Sequence, residues 1–148
     1  MVDKRAVDIL KDNVKFVQED LMFTMDLHSA GLDELVKSKM STHIINKTQL
    51  IFLEKGNDKA GFKHLWKGHK DDYAKLCGVK SESEVLKYIQ RIVGMGHYAT
   101  YGYELGNGFV VVYQIHEKLF LRVAIGFNGF IVSAYPSTNK DKEDKMDY

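Results

Sequence analysis

The sequence predicts an α+β fold, with N-terminal helices packed on one face of a C-terminal four-stranded antiparallel meander sheet. Three observations lead there. Apolar residues recur at three- and four-residue spacing through the N-terminal part, the period of a helix with one buried stripe. After residue 96 aromatic and β-branched residues dominate. Turn signals then come about every ten residues, and connections that short join antiparallel neighbours. Helices first and hairpin-linked strands second give segregated layers.

The elements follow in order. Asp3 is an N-cap residue, and Ala6, Leu10, Val14, Val17 and Leu21 form one apolar stripe of a first helix ending near Met22–Met25. Residues 31–40 read as a short second helix, and Thr48–Leu53 as a strand. Gly56-Asn57-Asp58 marks a turn. A third helix is expected from about Lys59 to Cys77, stopped by Gly78 in the position that favours a left-handed residue. Ser81 and Glu84 have the spacing of a capping box and open a fourth helix. Its inward face is Val85, Leu86, Ile89, Ile92 and Val93, and Gly94-Met95-Gly96 ends it. Four strands are expected at about 97–105, 109–116, 119–126 and 129–135. The organisation is a helical arm (1–58) packing on a main α+β domain (59–138), then a charged tail (139–148) with the composition of a disordered segment.

Composition excludes several classes. The chain of 148 residues has a single cysteine, Cys77, so neither a disulfide framework nor a Cys-based zinc site can form within it. No apolar run approaches the ~20 residues that span a bilayer. Met1–Leu10 alternates charged and apolar residues and lacks the uninterrupted core of a secretory signal. A cytoplasmic site of action with no membrane partner is expected. Phosphate-loop, nucleophile-elbow, His-Glu-x-x-His and EF-hand patterns are absent, and the reading includes no cofactor and no metal. The net charge is +1, with one local basic excess: residues 61–95 hold seven Lys/Arg against four Asp/Glu.

That segment holds the first chemical candidate. On a wheel at ~100° per residue with Phe62 at zero, His69 falls near ~340°, inside the stripe of Phe62, Leu65, Trp66, Tyr73 and Leu76. His64 falls near ~200°, on the polar side, so the two cannot chelate one ion. An inward histidine is either a hydrogen-bonded core residue or a general acid or base. Arg122 is the second candidate, the only cation inside the apolar strand Leu119–Ile125. It shares a face with Phe120 and Ala124, and either snorkels to solvent or holds an anion such as phosphate. The third is the stretch Ile131–Thr138. Ser133 and Tyr135 share a face there, and Ser137 and Thr138 follow the strand; such hydroxyls bond phosphate oxygens, orient an imidazole or simply end a strand. His116 sits at a turn.

A helix carrying Phe62-Lys63-His64 and then His69, a capped helix, and strands ending in Leu121-Arg122-Val123-Ala124-Ile125 and Ser133-Ala134-Tyr135-Pro136 resemble the barnase–EndoU–colicin–RelE-like ribonuclease superfamily. Its phage-associated domains and contact-dependent inhibition toxins are the nearest branches. The resemblance covers roughly residues 60–138. It implies metal-independent RNA cleavage, often of transfer RNA, by attack of a ribose 2′-hydroxyl to leave a 2′,3′-cyclic phosphate. Such chemistry needs a base, an acid and groups that stabilise the phosphorane. In this resemblance His69 matches the helix histidine, Arg122 the basic residue of the penultimate strand, and Ser133 and Tyr135 the final strand. Lys67 and Lys70 flank His69 and suit RNA backbone contacts. The second acid–base group stays open among His116, Tyr135 and His64. A cognate immunity or antitoxin protein is the implied partner. The near-neutral charge and the helical arm support an alternative, a non-enzymatic RNA- or protein-binding module.

Overall fold

The computed structural model describes residues 20–32, 50–95, 99–105 and 108–138. In chain order these form strands β1 (Leu21–Asp26) and β2 (Leu50–Glu54), helix α1 (Phe62–Asp72), a π-helical turn (Tyr73–Cys77), helix α2 (Glu82–Met95), and strands β3 (Ala99–Leu105), β4 (Gly108–His116), β5 (Leu119–Gly126) and β6 (Ile131–Ser137). The last four make an antiparallel sheet in the order β3-β4-β5-β6, and the class is α+β as the sequence predicts. The first helix stripe as far as Val17, the short helix over 33–40 and the charged tail lie outside the described residues, while Leu21, the last residue of that stripe, is the first of β1.

Cross-strand pairs set the two faces of the sheet. Phe109 opposite Ile125, Val111 opposite Val123, and Tyr113 opposite Leu121 put those six on one face, with Ala134 beside Val123. That face joins Phe62, Leu65, Tyr73, Val85, Tyr88, Ile89, Ile92 and Val93 of the helical segments in the main core. On the other face Val110, Ala124 and Ser133 form one row and Val112, Arg122 and Tyr135 the next. Those residues are buried too, apart from a half-buried Tyr135. A sheet buried on both sides explains why β4 and β5 read as nearly continuous apolar runs.

Three sequence expectations change. Residues 21–26 form strand β1, where a helix end was expected over 22–25. Tertiary pairing overrides the local period: β2 is buried along its whole length, so its backbone groups need ladder partners. β1 supplies one ladder, and Gly129 accepts from the Phe52 amide at 2.9 Å on the other side. Gly31 and Leu32, expected to open the second helix, complete a turn in which Leu32 donates to the Leu27 carbonyl at 2.9 Å. The helix expected from Lys59 starts at Phe62 instead, because Asn57 holds the preceding turn: its Oδ1 accepts from the Lys59 and Ala60 amides. The last turn of that helix is π and opens on the fully buried Tyr73, whose hydroxyl donates to the Ala134 carbonyl. Gly78 ends it in the left-handed region at φ 72°. The capping box forms as expected, with the Glu84 amide donating to Ser81 Oγ at 3.1 Å and the Ser81 amide to Glu84 Oε1 at 3.2 Å.

Helix α1 runs along the outer edge of β6. The Gly61 amide donates to the Val132 carbonyl at 2.8 Å, and the Tyr73 hydroxyl reaches the next outward carbonyl, that of Ala134. Gly61 makes this entry feasible. It sits at φ 92°, ψ −165°, a region open to glycine almost alone, and an added Cβ would lie 2.8 Å from the Gly56 Cα. Gly61→Ala is therefore expected to cost about 1–3 kcal/mol, read as a lower urea midpoint with an unchanged slope.

Candidate functional site

The placement of α1 at the sheet edge brings His69 onto Tyr135. The two rings stack with centroids 4.7 Å apart and 17° between planes. The His69 side chain keeps 19% exposure, so the wheel position in an apolar stripe translates into a rim rather than an interior site. Its Nδ1 faces Asp72 Oδ2 at 3.4 Å, one turn further along the helix. A carboxylate only accepts, so Nδ1 carries the proton and Nε2 holds the lone pair. Burial holds the imidazole below its ordinary value of 6.5, and Asp72 opposes that only in part. The result is a neutral ring near pH 7 with an oriented basic nitrogen.

Arg122 is the cross-strand partner of Tyr135, on the same face. It neither snorkels nor faces solvent: it is 1% exposed and is the largest fully buried side chain among the described residues. The route to water fails because its neighbours on that face, Val112, Ala124 and Ser133, are buried with it. Arg122 Nη1 donates to the Tyr103 hydroxyl at 3.2 Å. Ser133, one row along, is fully buried, and its Oγ has no hydrogen-bond partner among the described residues. Ser137 lies inside β6, opposite Phe120, rather than past the strand end, and Thr138 follows it at the surface.

The remaining candidates separate from this cluster. Lys67 and Lys70 are exposed on α1, and His116 is exposed at the β4–β5 turn. His64 departs from the solvent position expected of it: Nδ1 meets the Asp58 carbonyl at 2.9 Å and Nε2 is shielded. The later helix start explains this, since Asp58 now folds back over the first turn. The structure thus joins His69, Tyr135 and Arg122, with Ser133 beside them, and leaves His116 apart; His64 stays outside the cluster but lies near enough for its charge to help lower the His69 value. Asp72 and Tyr103 were missed. The i, i+3 spacing from His69 was a usable signal for Asp72. Tyr103 had none, because its contact depends on strand order.

Cys77 is half-buried and burial pushes its thiol up, which disfavours the reactive thiolate. Among the described residues no group of three or more His, Cys, Asp or Glu is placed to hold a metal ion. No helix among them is long and apolar enough to cross a membrane. The chain matches no protein-family model and no curated protein.

Proposed function

We propose that the chain is a metal-independent endoribonuclease that cuts RNA by 2′-hydroxyl attack. The observation that carries this is the His69 site: a rim imidazole oriented by Asp72 and kept neutral by burial, stacked on Tyr135 next to Arg122. His69 Nε2 takes the proton of the ribose 2′-hydroxyl while O2′ bonds to the adjacent phosphorus. The P–O5′ bond breaks, and the leaving 5′-oxygen gains a proton from an acid or from water. The products are a 2′,3′-cyclic phosphate and a 5′-hydroxyl. At 1% exposure Arg122 acts as a positioning residue, by its hydrogen bond to Tyr103 and its place opposite Tyr135 in the sheet, rather than by touching phosphate.

The test is incubation of the purified chain with total cellular RNA in EDTA. Discrete fragments bearing cyclic phosphate and 5′-hydroxyl ends are expected, with transfer RNA among the substrates to examine first. Intact RNA at high protein concentration overturns the proposal. One observation favours a second function, that of a non-enzymatic RNA- or protein-binding module. Arg122 and Ser133, two of the expected phosphate-facing groups, are enclosed. Intact RNA in the same assay, with a stable RNA or immunity-type protein complex, is the outcome that second function requires.

A further inference from the structure

Residues 59–70 contain four lysines, Lys59, Lys63, Lys67 and Lys70, and no carboxylate. On α1 Lys63, Lys67 and Lys70 stand at i, i+4 and i+7, one stripe of the helix, and all are exposed. Lys59 and Lys63 line a shallow cleft of about 390 Å³ with Asn57 and Asp58 at the start of that helix. The helix end itself has no side-chain cap and no acidic residue in its first turn, so its positive dipole end adds to the lysines. Among the described residues the one ion pair of the row is Lys67 with Asp58 at 3.6 Å, both groups more than 70% exposed. Such a pair is weak and exchanges readily for another anion.

Trp66 is the other half of the surface. It is three residues from Lys63 and four from Lys70, hence between them on the helix. It is partly buried and packed against the main core, so its ring is held in place and stays partly open to solvent. It is also three residues before His69, which makes it the bridge from the lysine row to the imidazole. A row of cations bordered by a fixed aromatic face fits a single strand: lysines track the backbone and a splayed base stacks on the ring. A duplex keeps its bases stacked internally and offers that ring nothing.

We infer that the α1 face formed by Lys59, Lys63, Lys67, Lys70 and Trp66 binds single-stranded RNA and leads it to His69. This deepens the ribonuclease proposal by naming its substrate class, and the leading to His69 rests on that proposal.

The probe is a fluorescein-labelled 2′-O-methyl RNA, which lacks the attacking hydroxyl and cannot be cut, with its blunt duplex beside it. Anisotropy with the full chain is expected to show single-strand binding that falls with salt, with a log–log slope of roughly −2 to −3 for three or four phosphates. Trp66 is the only tryptophan, so stacking quenches the intrinsic tryptophan fluorescence. K63Q/K67Q/K70Q is expected to bind at least tenfold more weakly and Trp66→Leu to lose affinity without losing the salt slope. Unchanged affinity in the lysine variant, equal affinity for the duplex, or no quenching overturns the inference. A chain that binds this probe through the lysine row but leaves ordinary RNA intact keeps the binding face and sinks the ribonuclease proposal. Cleavage that persists in the lysine variant does the reverse.

Discussion

His69→Ala is expected to lower RNA cleavage by about 10²–10⁴-fold, the usual contribution of a positioned base. The fold should survive, because the imidazole sits at a rim and contributes one ring contact and one long hydrogen bond. The pH dependence adds a second readout. A base works only when neutral, so cleavage by the native chain rises with pH until His69 has lost its proton. Burial places that point below 6.5, and the acidic limb of kcat/KM should bend there. Stability carries the same signature. Between the lowered folded value and 6.5 the unfolded chain holds more protons than the folded one, so acidification through that window destabilises the fold. Above it the contribution is constant. Urea midpoints at several pH values should show this slope in the native chain and lose it in His69→Ala. Full cleavage by the variant, or an acidic limb above 6.5, contradicts the assignment of His69 as base.

Arg122→Ala is expected to destabilise the chain by about 2–5 kcal/mol, a large share of the stability of a domain this size. Two costs combine. The largest fully buried side chain among the described residues disappears and leaves a cavity, and the Tyr103 hydroxyl loses the donor that Arg122 supplies. Arg122→Met separates these. It restores most of the volume and removes a buried charge, so about 1–3 kcal/mol should remain, from the lost Arg122–Tyr103 hydrogen bond. If Arg122→Met is stable yet cuts RNA poorly, the guanidinium serves the site through Tyr135. If it is stable and fully active, the arginine is structural only. Thermal and urea unfolding beside the RNA assay decide between them.

The four-stranded meander was legible because hairpin turns are local: a short connection between two apolar runs leaves few alternatives. The capped helix α2 was legible for the same reason, since Ser81 and Glu84 satisfy each other within one turn. Strand β1 was not. Its residues fit either period, and what selects the strand is a partner, β2, far along the chain. The site divides along that line. His69 showed its inward bias on the wheel, and Arg122 stood out in an apolar run. The contact of His69 with Tyr135 required the docking of α1 on the β6 edge, made by Gly61, Val132, Tyr73 and Ala134. No spacing in the sequence encodes those bonds. The enclosure of Arg122 was illegible too, since strand alternation names a face but not what covers it.

The docking of α1 has a further consequence. The outward carbonyls of β6 that it occupies are the groups a foreign strand would use to extend the sheet. The same helix carries His69, so on the proposed function it would be at once a bearer of the chemistry and a guard against self-association. Heat or a variant that peels α1 away would disperse the His69–Tyr135 cluster and bare an adhesive edge in one event. Loss of activity and the onset of aggregation should then share one temperature, with no range in which the chain is inactive but still well behaved.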